Sequence, residues 1–333
     1  MRTVVIGGTG HAGSYVVPKL VEAGHEVVSL SRGLRAPYVE HALWGSVETH
    51  VVDRDALEQT GEFGKTIAAL EPDAVVDLIC YTPESARHLV DALRGKVRQF
   101  VHCGTIFVAG HGVEVPTRET DPRNPFGDYG VNKAAIEAFL LDEAQRMGFP
   151  ASVLHPGHIV GEGWVPLNPA GNFNPSVFAQ LALGEQVALP HFGLETVHHV
   201  HGADVGQAFV LALDNWAVSV GQSFYVVSDA ALSLRGYAEA MASWFGKPPN
   251  LVFLPWEEWK QTVSDEDASA TWEHVARSPH HSIAKAARLL GYQPQHSSLS
   301  AVQQAVTWLI HNQGLLSAEQ FAAASPAQTG AKA

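Results

Sequence analysis

Cysteine and positive charge are both scarce in this chain. Cys80 and Cys103 are the two cysteines among 333 residues. Two thiols make no disulfide framework. Free thiols suit a reducing compartment, so a cytoplasmic location is expected. Lys and Arg number 21 against 34 Asp and Glu, a net charge of −13 with histidine neutral. Phosphate backbones repel so acidic a chain, which argues against nucleic acid as a partner. No apolar run approaches the ~18 residues a bilayer-spanning helix needs, so no membrane partner is expected. Met1 leads straight into a strand-like run with no basic flank or cleavage site, so no secretory signal is expected. The shortage of cations is sharpest from Met147 to Leu234, where neither Lys nor Arg occurs.

What the chain does have is a regular alternation. Apolar runs fall at Thr3–Gly7, Glu26–Leu30, Thr49–Val52, Ala74–Ile79, Gln99–Cys103 and Ala151–His155. Helical patterns lie between most of them, at His11–Glu22, Ala56–Leu70, Pro83–Leu93 and Tyr129–Met147. Near-continuous apolar strands alternating with amphipathic helices predict a parallel sheet covered on both faces. Right-handed crossovers make it an α/β, doubly wound Rossmann fold, with a smaller C-terminal α+β part for substrate. Residues 1–155 are expected to bind the dinucleotide, with part of 197–228 returning to that domain. Residues 156–196 and 229–316 are expected to bind substrate, and 317–333 to form a flexible tail. "GEGWVPLNPAGNFNPS", from Gly161, reads as a long loop. Later patterns predict helices at Ala203–Leu213, Leu234–Phe245, Ser282–Leu290 and Leu299–His311, and strands at Ser223–Ser228 and Leu251–Leu254.

Gly7, Gly10 and Gly13 stand three apart between the first strand and first helix. Residues without a Cβ let a pyrophosphate approach the backbone, and the helix N-terminus attracts its charge. Ser31 and Arg32 end the second strand, where an NAD site usually carries an acid. An arginine there pairs with a 2′-phosphate, so NADP is favoured over NAD. Asp53 either accepts from the adenine amino group or caps the helix that follows, and the two roles are compatible.

Tyr129 and Lys133 are four apart in a helical pattern and so share one face. A lysine ammonium stabilises a phenolate, and the phenol then exchanges a proton with a substrate hydroxyl. Thr105, after the fifth strand, supplies a second hydroxyl. The stretch from Met147 to Leu234 carries six histidines, His155, His158, His191, His198, His199 and His201, with Asn168, Asn172 and Asn174. Neutral imidazoles and amides suit a hydroxyl-rich ligand better than a diphosphate. His199 and His201 form a feasible metal-ligand pair, but no carboxylate or thiol completes a set, so no metal is expected. Cys103 reads as a buried residue rather than a nucleophile.

"GGTGHAG", "YGVNK", "CGTIFVAG", "HPGHIVGEG", "HHVHGADVGQAF" and "LGYQP" together resemble the extended short-chain dehydrogenase/reductases of the NAD-dependent epimerase/dehydratase type. The resemblance covers roughly residues 1–315. It implies Thr105, Tyr129 and Lys133 as the catalytic triad. Cofactor contacts are implied for Gly7, Gly10, His11, Ala12, Gly13, Ser31, Arg32, Asp53, Leu78, Lys133, Pro156 and His158. The substrate side is expected to include Phe107, His155, Asn172, His199 and His201. A homodimer paired through the Tyr129 helix is implied too. His155 and Ala109 depart from the family's usual arginine and aromatic residue. "DLICY" and its sequel resemble the branch that includes the chloroplast stem-loop-binding proteins.

The expected activity is NAD(P)-dependent oxidoreduction or epimerisation at a hydroxyl or keto carbon of a small sugar-like or polyol-like substrate. One alternative is a nucleotide-sugar 4-epimerase or dehydratase, with Arg235 and Arg277 folding back onto a diphosphate. The alternative of another class is a non-catalytic dinucleotide-sensing or RNA-binding protein.

Overall fold

A computed structural model describes residues 1–317, 319 and 320. The expected flexible tail, 317–333, therefore lies almost wholly outside the described residues. Six parallel strands come first: β1 (Arg2–Ile6), β2 (Glu26–Ser31), β3 (Glu48–Val51), β4 (Ala74–Asp77), β5 (Gln99–Cys103) and β6 (Ala151–Pro156). They lie in the order β3-β2-β1-β4-β5-β6, and the strand Ser223–Val226 pairs with β6 as the seventh. The order reverses between β1 and β4. In such sheets ligands bind beyond the C-terminal strand ends at that point.

Period-two alternation sorts the strand residues onto two faces. Val5, Val76 and Val101 face helix α1 (Gly13–Glu22) and the helix Gly202–Asp214. Val4, Ile6, Val75 and Phe100 face the other layer. That layer holds α2 (Arg54–Gln59), α3 (Phe63–Ala68), α4 (Pro83–Leu93) and α5 (Gly127–Arg146). Each of these strand side chains is essentially fully buried, a contribution of about 1.5–3 kcal/mol apiece. The single helix expected over Ala56–Leu70 is two, because Gly61 adopts φ +74° and ends the first.

Beyond β6 the chain builds a second core from Phe178, Leu189, Tyr237, Met241, Trp259 and Val302. The expected loop runs from Gly161 to Pro175. Among the elements that escape the sequence patterns are the helices Ser176–Leu183 and Asp265–Val275 and the strand Val187–Pro190. The helix Asp265–Val275 is capped by the Ser264 hydroxyl, which accepts from Asp267 N. Its buried residues are Thr271 and Val275, too thin an apolar stripe to read as a helix.

Among the described residues no helix is long and apolar enough to cross a membrane.

Candidate active site

A cleft of about 300 Å³ opens at the switch point. The glycine turn forms one wall. Gly7 has φ +91°, and a Cβ on it would meet the Ile79 side chain. A Cβ on Gly13 would strike the carbonyl oxygens of Gly7 and Gly8. This turn is a cradle that side chains would fill. No side chain caps α1; Ser14 N and Tyr15 N already bond the Gly10 and Ala12 carbonyls, which leaves the Ala12 and Gly13 amides for an anion. A dinucleotide pyrophosphate fits here on both grounds. Ala12, Leu78 and Pro156 line the same cleft.

His11 lines both this cleft and a second of about 360 Å³ at the ends of β1 and β2. Its ring stacks on Trp164 at 4.2 Å and packs against Tyr38 at 4.5 Å. Burial there, and then the Arg35 charge, lower its pKa to about 4. Ser31, Arg32 and Arg35 line the second cleft, and no Asp or Glu does. Asp53 is in neither cleft; its carboxylate accepts from Ala56 N at 3.1 Å and caps α2. Of the two roles read for it, the structure displays the cap.

At the far end stand Thr105, Tyr129 and Lys133. Tyr129 lies in the first turn of α5 and is 41% exposed. Lys133, one turn on, is buried, and its Nζ donates to the Cys103 carbonyl at 2.7 Å. Burial lowers the lysine's pKa. It also raises that of Tyr129 well above its ordinary value, while the facing Thr105 hydroxyl pulls the other way. The ammonium sits 5.9 Å from the ring centroid and gives one of its three N–H groups to that carbonyl.

Tyr81 carries no mark in the sequence, yet it lines both clefts. Its ring is 5.2 Å from Lys133 Nζ and 6.4 Å from Tyr129. The readable signal is its place just past β4, beside the switch point. Cys103 contributes its carbonyl; burial pushes its thiol up to about 11.

The histidines point elsewhere than expected. His155 is fully buried behind the cleft. Its Nδ1 accepts from Thr105 N at 3.1 Å, and its Nε2 lies 2.9 Å from Glu137. Burial opposes charge on Glu137, but His155 and Arg123 prevail and hold its pKa well below the carboxylate range. His155 therefore positions the Thr105 backbone instead of touching substrate. His158, expected at the cofactor, turns away: Nδ1 bonds the His198 carbonyl, and the ring lies 5.1 Å from His274. His199 bonds the Leu167 carbonyl through Nε2, and His201 caps the helix Gly202–Asp214. Both are core residues. Asn172 donates to Thr271 Oγ1 and accepts from Asn168, which makes it part of the loop's own scaffold. Among the described residues no three side chains gather as metal ligands.

Phe107 meets the Tyr129 ring edge-on at 5.9 Å. Arg277 is held between Phe107 and Phe126, its guanidinium carbon 3.9 Å from each ring centroid. Its Nη2 donates to the Phe126 carbonyl at 2.7 Å. Arg235 instead pairs with Glu239 and lies over Phe253, so the two-arginine clamp of the nucleotide-sugar alternative is not formed.

The NAD dependent epimerase/dehydratase family matches residues 3–227. The 2′-dehydrokanamycin reductase of Streptomyces kanamyceticus is 25% identical over 313 residues, covering 93% of this chain and 85% of that protein. The UDP-glucose 4-epimerase of Azospirillum brasilense is 28% identical over 340 residues, covering 92% and 91%. Among solved structures, the UDP-glucose 4-epimerase of Thermotoga maritima matches with TM-score 0.72 at 20% identity, covering 94% of this chain and 100% of that one. That last likeness is one of fold.

Proposed function

The chain belongs to the NAD dependent epimerase/dehydratase family, and from that premise we propose that it interconverts a carbonyl and a hydroxyl on a small sugar-like substrate. It is an enzyme of the NAD(P)-dependent short-chain dehydrogenase/reductase type. The observation that carries the reading is one cleft holding the glycine cradle at one end and Thr105, Tyr129 and Lys133 at the other. A bound nicotinamide dinucleotide supplies or accepts the hydride. The turn from Gly7 to Gly13 would hold its pyrophosphate, and Lys133 would lie toward its nicotinamide half. Thr105 orients the substrate oxygen, and Tyr129 gives that oxygen a proton in the reductive direction. Lys133, held by the Cys103 carbonyl, keeps a positive charge near the phenol as the proton leaves.

Substrate with the reduced cofactor tests the proposal directly. Oxidised amino sugars, neutral sugars and polyols should include one whose reduction is followed by loss of 340 nm absorbance. Cofactor binding with no turnover across that panel would sink it.

Arg32 and Arg35, with no acid in their cleft, favour the 2′-phosphate of NADP. Arg32→Glu is expected to invert the preference. NADP affinity should fall about tenfold or more, a loss of one charge-assisted pair. NAD affinity should hold or rise. Calorimetric titration of both cofactors measures this, and an unchanged NADP/NAD ratio would remove Arg32 from the ribose site.

The second reading is a nucleotide-sugar 4-epimerase, favoured by the UDP-glucose 4-epimerase relative and by Arg277 beside Phe107. Reduced-cofactor consumption separates the two, because an epimerase shows no net change in cofactor.

A further inference from the structure

The two clefts at the switch point share the lining residues Gly7, Gly10, His11, Ile79 and Tyr81. A dinucleotide laid across both clefts puts its pyrophosphate at that junction, because the pyrophosphate joins its two halves. Of these shared residues, His11 alone can carry a positive charge. No Asp or Glu lines either cleft, so the free protein offers an imidazolium no counter-charge there.

Two segments hold the His11 ring in place. Trp164 stacks on it with centroids 4.2 Å apart, and Tyr38 packs against it at 4.5 Å. Both neighbours are themselves tied down. Trp164 Nε1 donates to the Ile159 carbonyl at 3.2 Å, and Tyr38 N donates to the Ser14 hydroxyl at 2.9 Å. The ring stays exposed to the clefts, and neither of its nitrogens bonds a described residue. His198, His199 and His201 differ in this, since each bonds the backbone from within the core. A ring fixed at the junction and bonded to nothing in the protein is free to bond a ligand.

The charges around it decide its protonation. Arg32 and Arg35 stand in the second cleft, with Arg35 over the Tyr38 ring at 4.8 Å. Tyr15 of α1 and Tyr81 beyond β4 add neutral phenols. Glu162, beside Trp164, is bonded by Gln304. Burial and then Arg35 hold the pKa of His11 near 4, so its ring is neutral in the free protein at pH 7. A phosphate charge reverses the balance. One unit charge about 4 Å away, at an effective dielectric near 20, favours the imidazolium by about a thousandfold. That shift carries a ring titrating near 4 to about neutrality.

We propose that His11 takes up a proton from solvent as the dinucleotide binds, and that its imidazolium pairs with the cofactor's pyrophosphate. Cofactor affinity therefore rises as pH falls. The proposal rests on the dinucleotide reading of the glycine cradle and adds a titrating partner to it.

Calorimetry of the full-length protein tests this without turnover. NAD and NADP are each titrated in PIPES and in Tris, whose different ionisation heats report the protons exchanged. At pH 7 wild type should take up about half a proton per cofactor, and its affinity should rise about fourfold from pH 8 to 6.5. His11→Phe keeps a ring between Trp164 and Tyr38 but cannot titrate. Its affinity should stay flat over that range, and the half proton should vanish. The 2′-phosphate of NADP titrates near pH 6, and its share cancels in the difference between wild type and variant. The wild-type proton count with NAD stands whether or not the variant folds, and His11→Asn serves as a second non-titrating form. NAD binding without proton uptake, or uptake unchanged in both variants, would overturn the proposal and leave the dinucleotide reading intact. Failure of both cofactors to bind at any pH would sink the dinucleotide reading, and the proposal with it.

Discussion

Replacing Tyr129 with phenylalanine is expected to lower the rate of carbonyl reduction by about 10²- to 10⁴-fold, the usual contribution of a positioned general acid. The ring stays, so the edge-on contact with Phe107 and the contact with Tyr81 survive. Only the oxygen that faces Thr105 and the substrate is lost. The glycine cradle sits at the other end of the cleft, so cofactor affinity should change little. Stopped-flow measurement of hydride transfer beside a cofactor titration separates the two effects. A variant within tenfold of the wild-type rate would mean that the proton comes from another group. Burial holds the phenol's pKa above its ordinary value. The proton source for reduction should therefore persist through pH 9, and reductive activity should not show a Tyr129 titration below that.

Mild acid is expected to unfold this protein steeply. His102, His198, His199, His201 and His281 are each at most 3% exposed. Burial lowers all five pKa values, that of His198 to about 3 and those of His199 and His201 to about 4. Several fit the core only as neutral rings bonded to backbone, as His198 does with the Ser228 carbonyl and His199 with the Leu167 carbonyl. The unfolded chain protonates its histidines near pH 6.5. A depressed folded value means that the unfolded state binds the extra protons first. Stability from these groups is therefore full above about pH 6.5 and is lost as pH falls toward the folded values. Each contributes roughly 1.4 kcal/mol per pH unit in that window, and several together consume a domain's typical ~5–15 kcal/mol. Unfolding followed by circular dichroism should show its midpoint between about pH 5 and 6. Stability that stays flat from pH 7 to 5 would contradict the buried neutral set. His199→Gln, which cannot titrate, should flatten the slope by about one histidine's share.

The two halves of the chain differ in how far their sequence can be read. Gly7, Gly10 and Gly13 are legible because their constraint is local: a Cβ on Gly13 meets the carbonyls of Gly7 and Gly8, within six residues. Tyr129 and Lys133 are legible because four-residue spacing on a helix fixes their common face. The histidines are not. His155 was a reasonable substrate contact by position, but alternation along β6 gives only a face, and both faces of this sheet are covered. Arg277 shows the opposite case. Its sequence neighbours say nothing of Phe107, 170 positions earlier, yet it packs against that ring. The helix bearing Asp267 and His274 escapes notice because it buries little apolar surface of its own.

The sequence by itself determined the glycine turn after the first strand, the strand–helix alternation that builds the parallel sheet, the common face of Tyr129 and Lys133 and the absence of Lys and Arg from Met147 to Leu234, all matters of spacing and composition. Tertiary structure alone decided that His155 supports Thr105 from behind and that His199 and His201 serve the core. It also decided that Tyr81 joins the cleft. The physical reason is that spacing sets which face a residue occupies, while the packing of distant segments sets what that face meets.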